Sequence, residues 1–378
     1  MRLYHHIEPQ VIAVLSLAIS KIHISFDGWT TKGGKRGFFS IVAHFSDASG
    51  TVRDLPIALP QLTSAYTSKR IAKVVAKTLK TFNISSNLGY FVLDNAYAND
   101  TAITTLGKLY GFEARHRRLR CGPHTLNLVG QMLIFGYDAH AYNNDPDEHK
   151  TETAYLRDWR QNGPLGVLID IINYIKTPQQ HDLFADFQRR DNETPAQALL
   201  EPVKPVVTRW NSFYDTFTRA VQLHHAVNAY AQFHIERTKA DDVYARSRNN
   251  QLPKLPTWMR SDGLTAADWA VINEYIQVLQ PLKEATKRLE ARGKLGRFGA
   301  IYEVIPVFEA VLSVYEQLLK AYDNVDHEET DAPEDHLPIN LRAAWAKANN
   351  YYAKLDDSPA YYAAVCLHPY YKHYCENS

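Results

Sequence analysis

Residues 22–60 read IHISFDGWTTKGGKRGFFSIVAHFSDASGTVRDLPIALP, and this stretch decides the fold. Apolar and polar residues alternate in three runs, which begin at Ile22, Phe39 and Val52. Alternation with a period of two is typical of β-strands that bury one face. Glycine-containing turn signals separate the runs. We therefore predict a three-stranded meander.

The chain then alternates between helical segments and one short strand. Apolar residues recur at helical spacing in residues 68–82, 99–110 and 121–135. Residues 90–93 are a continuous apolar run of the kind found in buried parallel strands, and the run ends at Asp94. A meander followed by such a crossover predicts an α/β fold in which the fourth strand lies parallel beside the first.

The second half of the chain is helical in pattern. It is preceded by a polar, acidic stretch at residues 138–157, where we predict a surface loop, and it contains a second acidic loop at residues 323–335. Apolar periodicity predicts five helices, at residues 165–175, 208–232, 266–289, 301–319 and 341–355.

The composition excludes several classes of protein. The 378 residues are 45% hydrophobic and 22% charged, which excludes disorder throughout the chain. Because 42 basic and 41 acidic residues leave a net charge of +1, any contact with nucleic acid must come from a local patch. Three cysteines are too few for a disulfide scaffold and indicate a reducing compartment. The longest apolar run, residues 11–22, is shorter than the roughly 20 residues that span a membrane.

Two aspartates follow apolar runs that the predicted topology brings together. Asp27 ends the first run, and Asp94 directly follows the fourth. If the first strand is central and the fourth pairs beside it, both carboxylates project at one sheet edge, where they can hold a divalent cation such as Mg²⁺. Alternatively, each aspartate ends its strand as a turn former.

Basic and metal-binding side chains form the other candidate constellations. The densest basic cluster, RHRRLR at residues 115–120, suits phosphate backbones, which such patches bind without reading sequence. A second set of lysines and arginines on the helix predicted at residues 68–82 is typical of a solvated helix face. Residues 366–375 hold two cysteines and two histidines, which lie too close together to surround one zinc ion.

Five sequence blocks, taken in their order along the chain, carry the next inference. They are SFDGWT (25–30), LDNA (93–96), RCGPHTLNLV (120–129), TRWNS (208–212) and LHPYYK (367–372). Together they resemble the ordered blocks of hAT-superfamily DNA transposases, over nearly the whole chain. The last block departs from the family, where it more often reads Leu-Asp-Pro-Arg-Tyr-Lys.

The resemblance implies a ribonuclease H-like core that is interrupted by a large all-helical insertion. We accordingly expect the N-terminal part of the core in residues 1–140, the helical insertion domain in residues 141–355 and a return segment toward the core in residues 356–378. By resemblance, Asp27 and Asp94 match the first two catalytic carboxylates, which bind Mg²⁺ as the cofactor for DNA cleavage and strand transfer.

The resemblance also implies residues that contact DNA. Cys121 and His124 match a Cys-x-x-His block; structural zinc needs four ligands and no second pair lies nearby, so we expect the pair to order the following helix and to help contact DNA. Trp210 matches a tryptophan that stacks on a flipped base in some family members. Alternatively, Trp210 packs in the core with Phe213 and Phe217. The expected DNA-binding set is completed by Arg115, Arg117, Arg118, Arg120 and Arg209.

The chain departs from the family pattern at both ends. No cysteine pair of a BED-type zinc finger precedes Cys121, and no Ser-Glu-Arg block with the third catalytic carboxylate follows the last block. We therefore expect a truncated, catalytically degenerate relative that performs little or no transposition alone. We also expect one apolar face of the sheet to be left uncovered.

Three hypotheses follow from these patterns. The first is a transposase-derived nuclear protein whose partners are DNA and either a second copy or a full-length transposase relative, without membrane association. The second is a domesticated interaction or regulatory protein that keeps the scaffold and performs no phosphoryl chemistry. The third is a Mg²⁺-dependent nuclease whose third ligand comes from elsewhere, such as Glu201 or Glu303.

Overall fold

The chain forms two compact units in the computed structural model. The structure describes residues 2–31, 36–62, 67–136, 162–191, 198–206, 208–290, 301–322 and 336–376. The first unit comprises Met1–Leu126, Thr286–Glu309 and Asn350–Ser378, and the second comprises Asn127–Ala285 and Ala310–Asn349. The expected domain boundaries at residues 140 and 355 stay a prediction. The two units are defined by contacts between residues, whereas the expected domains are defined by an insertion into the core.

A mixed β-sheet forms the centre of the first unit. Its strands are β1 (Ile22–Thr30), β2 (Gly37–Ser46), β3 (Val52–Ala58), β4 (Gln61–Leu62), β5 (Leu88–Leu93) and β6 (Arg118–Arg120). They pair in the order β3-β2-β1-β5-β6, and β4 pairs with β2. The pairs β1–β2 and β2–β3 are antiparallel, whereas β5 lies parallel to β1 and to β6. The predicted meander, with a parallel strand beside its first member, is confirmed.

The alternation of apolar residues puts one face of the sheet into the core. Ile24 of β1 and Ile41 of β2 are fully buried on this face, together with Phe26 and Phe39. Two helices contribute to the same core, α2 (Ser68–Thr81) and α3 (Tyr97–Tyr110). The other face is half-buried or exposed and carries polar residues such as Ser25 and His44 together with Trp29 and Phe38. That face is therefore where side chains of the sheet reach solvent.

The helices predicted around the sheet are confirmed with small shifts of their ends. Besides α2 and α3, the helices before residue 140 are α1 (Arg2–Ser16), α4 (Ala114–Arg117) and α5 (Gly122–Phe135). Neither α1 nor β6 is predicted from the sequence. Because β6 has only three residues, its conformation depends on pairing with β5, which no local pattern reveals.

The rest of the described chain is helical, as predicted. The helices are α6 (Pro164–Ile175), α7 (Pro178–Asp191), α8 (Trp210–Gln222), α9 (His224–Ser247), α10 (Ala266–Leu289), α11 (Ile301–Tyr322), α12 (His336–Tyr352) and α13 (Pro359–Leu367). The single helix predicted over residues 208–232 is two helices, because Leu223 leaves the helical conformation at φ −108° and ψ 11°. The loops predicted at residues 138–157 and 323–335 lie outside the described residues. None of the described helices is both long and apolar enough to cross a membrane.

Candidate functional site

Asp27 and Asp94 stand at matching positions of neighbouring parallel strands. Ser25 of β1 pairs with Val92 of β5, and each aspartate lies two residues further along its chain. Parallel strands advance together at about 3.3 Å per residue. Continuing the register therefore sets the two aspartates side by side, with Asp94 just beyond the last residue of β5 and Asp27 inside β1, which continues to Thr30. Asp27 is exposed there, and Asp94 is half-buried.

Local hydrogen bonds fix one oxygen of each carboxylate. Asp27 Oδ1 accepts the backbone N–H of Gly28 at 2.8 Å. Asp94 Oδ1 accepts the backbone N–H of Ala96 at 2.9 Å and the side-chain Nδ2 of Asn99 at 2.6 Å. The bond to Ala96 forms a turn that leads into α3. Asp94 thus acts as a turn former, as the simpler of the two interpretations held, and this role is compatible with a second one. Asp27 instead lies inside β1, which continues to Thr30 and pairs Asp27 with Ser40, so the expectation that it ends its strand is wrong.

Cys121 lies close to both carboxylates. Its backbone N–H donates to the carbonyl of Leu93 at 2.8 Å, and its thiol accepts the backbone N–H of His124 in the first turn of α5. Burial raises the pKa of the thiol, and the charges of Asp94 and Asp27 raise it further. Because both carboxylates act on one sulfur, they lie in the same neighbourhood. The protonated thiol bonds to the first turn of α5.

Asp27 and Asp94 provide hard oxygen ligands at a partly exposed position. Mg²⁺ prefers such ligands and retains several waters where a protein offers only one or two carboxylates. Among the described residues, no group of three or more His, Cys, Asp and Glu side chains is arranged to hold a metal ion. Two carboxylates alone would leave the other positions around such an ion to water or phosphate oxygens.

Arg118 is an internal side chain of β6. Its side chain is 5% exposed, and its Nε donates to Asp100 Oδ1 at 3.1 Å. Its terminal nitrogens donate to the backbone carbonyls of Leu93, Asp94 and Leu119. Burial lowers the pKa of the guanidinium, and the charge of Asp100 opposes that effect. Arg118 therefore holds the end of β5, where Asp94 begins its turn.

Arg120 has a similar role at the same strand end. Its Nη1 donates to Asn95 Oδ1 at 3.2 Å and its Nη2 donates to Asp100 Oδ2 at 3.3 Å. Its backbone N–H donates to the hydroxyl of Tyr361 at 2.8 Å. Asp100 thus accepts from both arginines, a role that sequence reasoning missed because a single aspartate in the first turn of a helix is common.

The arginines at the start of the cluster lie nearer to solvent. The side chain of Arg115 is 74% exposed and pairs with Asp357. Arg117 is half-buried; its Nη1 donates to the carbonyl of Leu88 at 2.7 Å, and its guanidinium lies 5.3 Å from the ring centre of Phe112. Arg115, Arg118 and Arg120 also line a small cavity of about 140 Å³. The basic cluster is therefore divided into an outer and an inner part.

Trp210 begins α8 in the second unit and is 1% exposed. Its backbone N–H donates to Asn127 Oδ1 at 3.2 Å. Its indole packs against Gly130 of α5 so closely that a Cβ at this glycine would lie 2.4 Å from Trp210 Cγ. Phe213 and Phe217 are buried on the same face of α8. These contacts favour the interpretation of Trp210 as a core residue, since a base could stack on it only after it was exposed.

Arg209 and His124 complete the expected DNA-binding set. Arg209 is exposed and directly precedes Trp210 in the second unit, whereas His124 is half-buried in the first. The set is thus distributed over both units, and the first unit alone brings together Asp27, Asp94, Cys121 and the Arg115–Arg120 cluster.

The alternative third carboxylates form ion pairs of their own. Glu303 accepts from Arg288 Nε at 3.0 Å and from the hydroxyl of Tyr371 at 3.2 Å. Glu201, in the second unit, pairs with Lys176 at 3.0 Å and with His181 at 2.9 Å. These contacts give each glutamate a structural role.

The Cys and His residues near the C-terminus also have separate contacts. His368 stacks on Tyr302 with ring centres 4.0 Å apart, and His373 pairs with Glu376 at 2.9 Å. Cys366 and Cys375 are free thiols. Within residues 336–376, which the structure describes, these side chains do not form a metal-binding group.

This chain is similar to a family model and to a curated protein. Residues 25–116 match the model of the ZBED1 RNase-like domain, a range that contains both Asp27 and Asp94. A protein of Talaromyces stipitatus named "Putative transcriptional regulator tpeD" is 23% identical over 221 residues, which cover 56% of this chain. The matched part spans only a quarter, 25%, of that relative's length. The match to an RNase-like domain model is consistent with a ribonuclease H-like core.

Proposed function

We propose that this chain is a transposase-derived DNA-binding protein with a ribonuclease H-like core and a helical insertion. The mixed sheet with β5 inserted beside β1 is the arrangement expected for such a core. The match of residues 25–116 to an RNase-like domain model supports the same fold. The ordered sequence blocks support the helical insertion.

The observation that carries this proposal is the register that sets Asp27 beside Asp94. The two carboxylates, one exposed and one half-buried, create a local concentration of negative charge where β5 ends beside β1. Such a pair is useful where Mg²⁺ and a phosphate meet. When bound, the ion would neutralise the charge of a phosphodiester, while Asp27 and Asp94 would hold it in place.

DNA contact is assigned to the exposed part of the basic set. Arg115 and Arg209 offer charge to solvent, whereas Arg118 and Arg120 position the strand end behind the carboxylates. Cys121 and His124 order the first turn of α5, where the Cys121 thiol accepts the backbone N–H of His124. The partner is duplex DNA, which places the expected site of action in the nucleus, and a second copy or a longer transposase relative is the expected protein partner.

Salt-dependent DNA binding tests the proposal. The logarithm of the association constant for a nonspecific duplex, measured by fluorescence anisotropy, should fall linearly with the logarithm of salt concentration. Arg115→Ser and Arg209→Ser should each reduce the slope by about 1, as expected for one lost phosphate contact. Lys73→Ser and Lys239→Ser, on exposed faces of α2 and α9, are matched controls and should leave the slope unchanged. A slope near zero for the wild type would reject DNA binding.

We further infer that this chain does not cleave DNA strands by itself. The support is that Asp27 and Asp94 are joined by no third carboxylate among the described residues, and that a two-metal site needs further ligands. A nicking assay with Mg²⁺ or Mn²⁺ should show no cleavage above that of Asp27→Ala. Robust cleavage that Asp27→Ala abolishes would show that the site is complete.

A second candidate function is regulatory. The name of the Talaromyces stipitatus relative, a putative transcriptional regulator, supports a chain that keeps the scaffold and has a regulatory role without phosphoryl chemistry. The same binding experiment separates the two: a regulator that acts only through proteins would show no salt-dependent affinity for duplex DNA.

A further inference from the structure

Three polar side chains from three adjacent strands form a hydrogen-bonded chain on the open face of the sheet. Ser25 Oγ lies 2.7 Å from His44 Nε2, and His44 Nδ1 lies 2.6 Å from Asp54 Oδ1. Both distances are those of good hydrogen bonds. The strands β1, β2 and β3 contribute one residue each.

The strand register explains why these residues meet. His44 of β2 is directly opposite Asp54 of β3, and Ser25 of β1 is the diagonal neighbour of His44, since it pairs with Val42. Residues two apart on a strand share a face, so all three side chains lie on the face that is turned away from the core. The side chain of His44 is 32% exposed and that of Asp54 is 72% exposed, which gives small molecules access.

The order of the contacts fixes which nitrogen of His44 carries the proton. A carboxylate accepts hydrogen bonds only, so the contact with Asp54 selects the ring form of His44 that carries a proton on Nδ1. The unprotonated Nε2 then accepts the hydrogen of the Ser25 hydroxyl. A nucleophile, a base and an orienting carboxylate in this order form the arrangement that activates serine in hydrolases, which is recognised by geometry rather than by fold.

His23 is another ionisable group on this face. It is directly opposite His44 in the register, and its Nδ1 accepts the backbone N–H of Tyr90 at 3.0 Å. Burial lowers the pKa of His23, and the charge of His44 lowers it further. His23 therefore stays neutral at neutral pH and does not compete with Ser25 for the base.

We propose that Ser25 is an activated nucleophile, with His44 as its general base and Asp54 as the residue that positions His44, and that it reacts with small activated carboxylic esters. The Ser25 Oγ attacks the ester carbonyl while its proton passes to His44 Nε2. A bond forms between Oγ and the acyl carbon, the ester C–O bond breaks, and the leaving alcohol takes the proton from Nε2. Water then hydrolyses the acyl-serine through the same base, which restores the hydroxyl.

Active-site labelling tests this proposal on the full chain. A fluorophosphonate probe should form a bond from phosphorus to Ser25 Oγ and release fluoride, and peptide mapping should locate the label at Ser25. His44→Gln should slow labelling at least about 100-fold, because it removes the base, and Asp54→Asn should slow it less. p-Nitrophenyl acetate should give a burst of one equivalent of nitrophenol.

Ser49 provides the matched control, because its hydroxyl donates to Asp47 at 2.6 Å without an intervening histidine. Ser49→Ala should label like the wild type, whereas Ser25→Ala should not label. The proposal is overturned if the label is found on another residue, or if Ser25 reacts equally fast in His44→Gln. Circular dichroism of each variant shows whether it is folded. Ser25→Ala removes a single oxygen and should stay folded, so its loss of labelling can be assigned to the missing hydroxyl. The test is independent of DNA binding.

Discussion

Arg118 is a charged residue whose partners, and not its charge, decide its role. In the sequence it is one of several similar arginines, but in the structure its guanidinium accounts for three backbone carbonyls and one oxygen of Asp100. A phosphate could reach it only by displacing these acceptors. Arg115, three residues earlier, remains mainly in solvent.

Replacing these two arginines tests that division. Arg118→Met keeps the apolar stem but leaves buried carbonyls and Asp100 without donors, so we expect the free energy of unfolding to fall by about 2–4 kcal/mol. Arg115→Met removes an exposed ion pair and should lower the free energy of unfolding much less than Arg118→Met. Urea denaturation measures both. Equal losses for the two variants would show that Arg118 is not an internal support.

At the scale of secondary-structure elements, the contact between α5 and α8 illustrates how a local sequence motif serves packing. Trp210 lies in the block TRWNS that resembles a DNA-contacting motif, yet its indole is buried against Gly130. The glycine permits this close approach because a side chain there would overlap the ring. The pair therefore joins two helices within the second unit.

A double-mutant cycle measures this helix contact. Trp210→Ala should destabilise the protein by about 3–5 kcal/mol, and Gly130→Ala by about 1–3 kcal/mol, because its methyl group meets the indole. In the Trp210→Ala background the glycine substitution should cost much less, so the two effects are not additive.

Trp29 is the control for removing an indole. It is 44% exposed and stacks across the strands on Phe38, so Trp29→Ala should cost about 1 kcal/mol or less. Additive costs for Gly130→Ala and Trp210→Ala would contradict the packing described for α5 and α8.

The strands could be predicted because their signals are local, whereas the position of Asp27 beside Asp94 follows from the register of β1 and β5. Period-two alternation in β1 and β2, and the short apolar run of β5, each show one buried surface in a few residues. The conformation of β6 could not be predicted, since burying Arg118 requires acceptors from β5 and α3 that are distant in sequence. The burial of Trp210 could not be predicted either, because an indole can pack in a core or stack on a base. The alignment of Ser25, His44 and Asp54 depends on strand register, which the sequence leaves open.

At the scale of the whole molecule, charge is balanced overall and uneven locally. A net charge of +1 gives no general attraction to DNA. The first unit nevertheless carries acidic groups at the strand ends and arginines immediately beside them. A cation held by Asp27 and Asp94 would reduce the repulsion between these carboxylates and a phosphate backbone, so divalent ions should strengthen DNA binding in the wild type.

Binding of Mn²⁺, observed by electron paramagnetic resonance, tests the central claim most directly. If Asp27 and Asp94 stand side by side, the wild type should bind one Mn²⁺ ion weakly, and Asp27→Asn and Asp94→Asn should each abolish that binding. Asp54→Asn, which alters another exposed aspartate of the same sheet, should leave it intact. Retention of the ion after either of the first two substitutions would contradict the account.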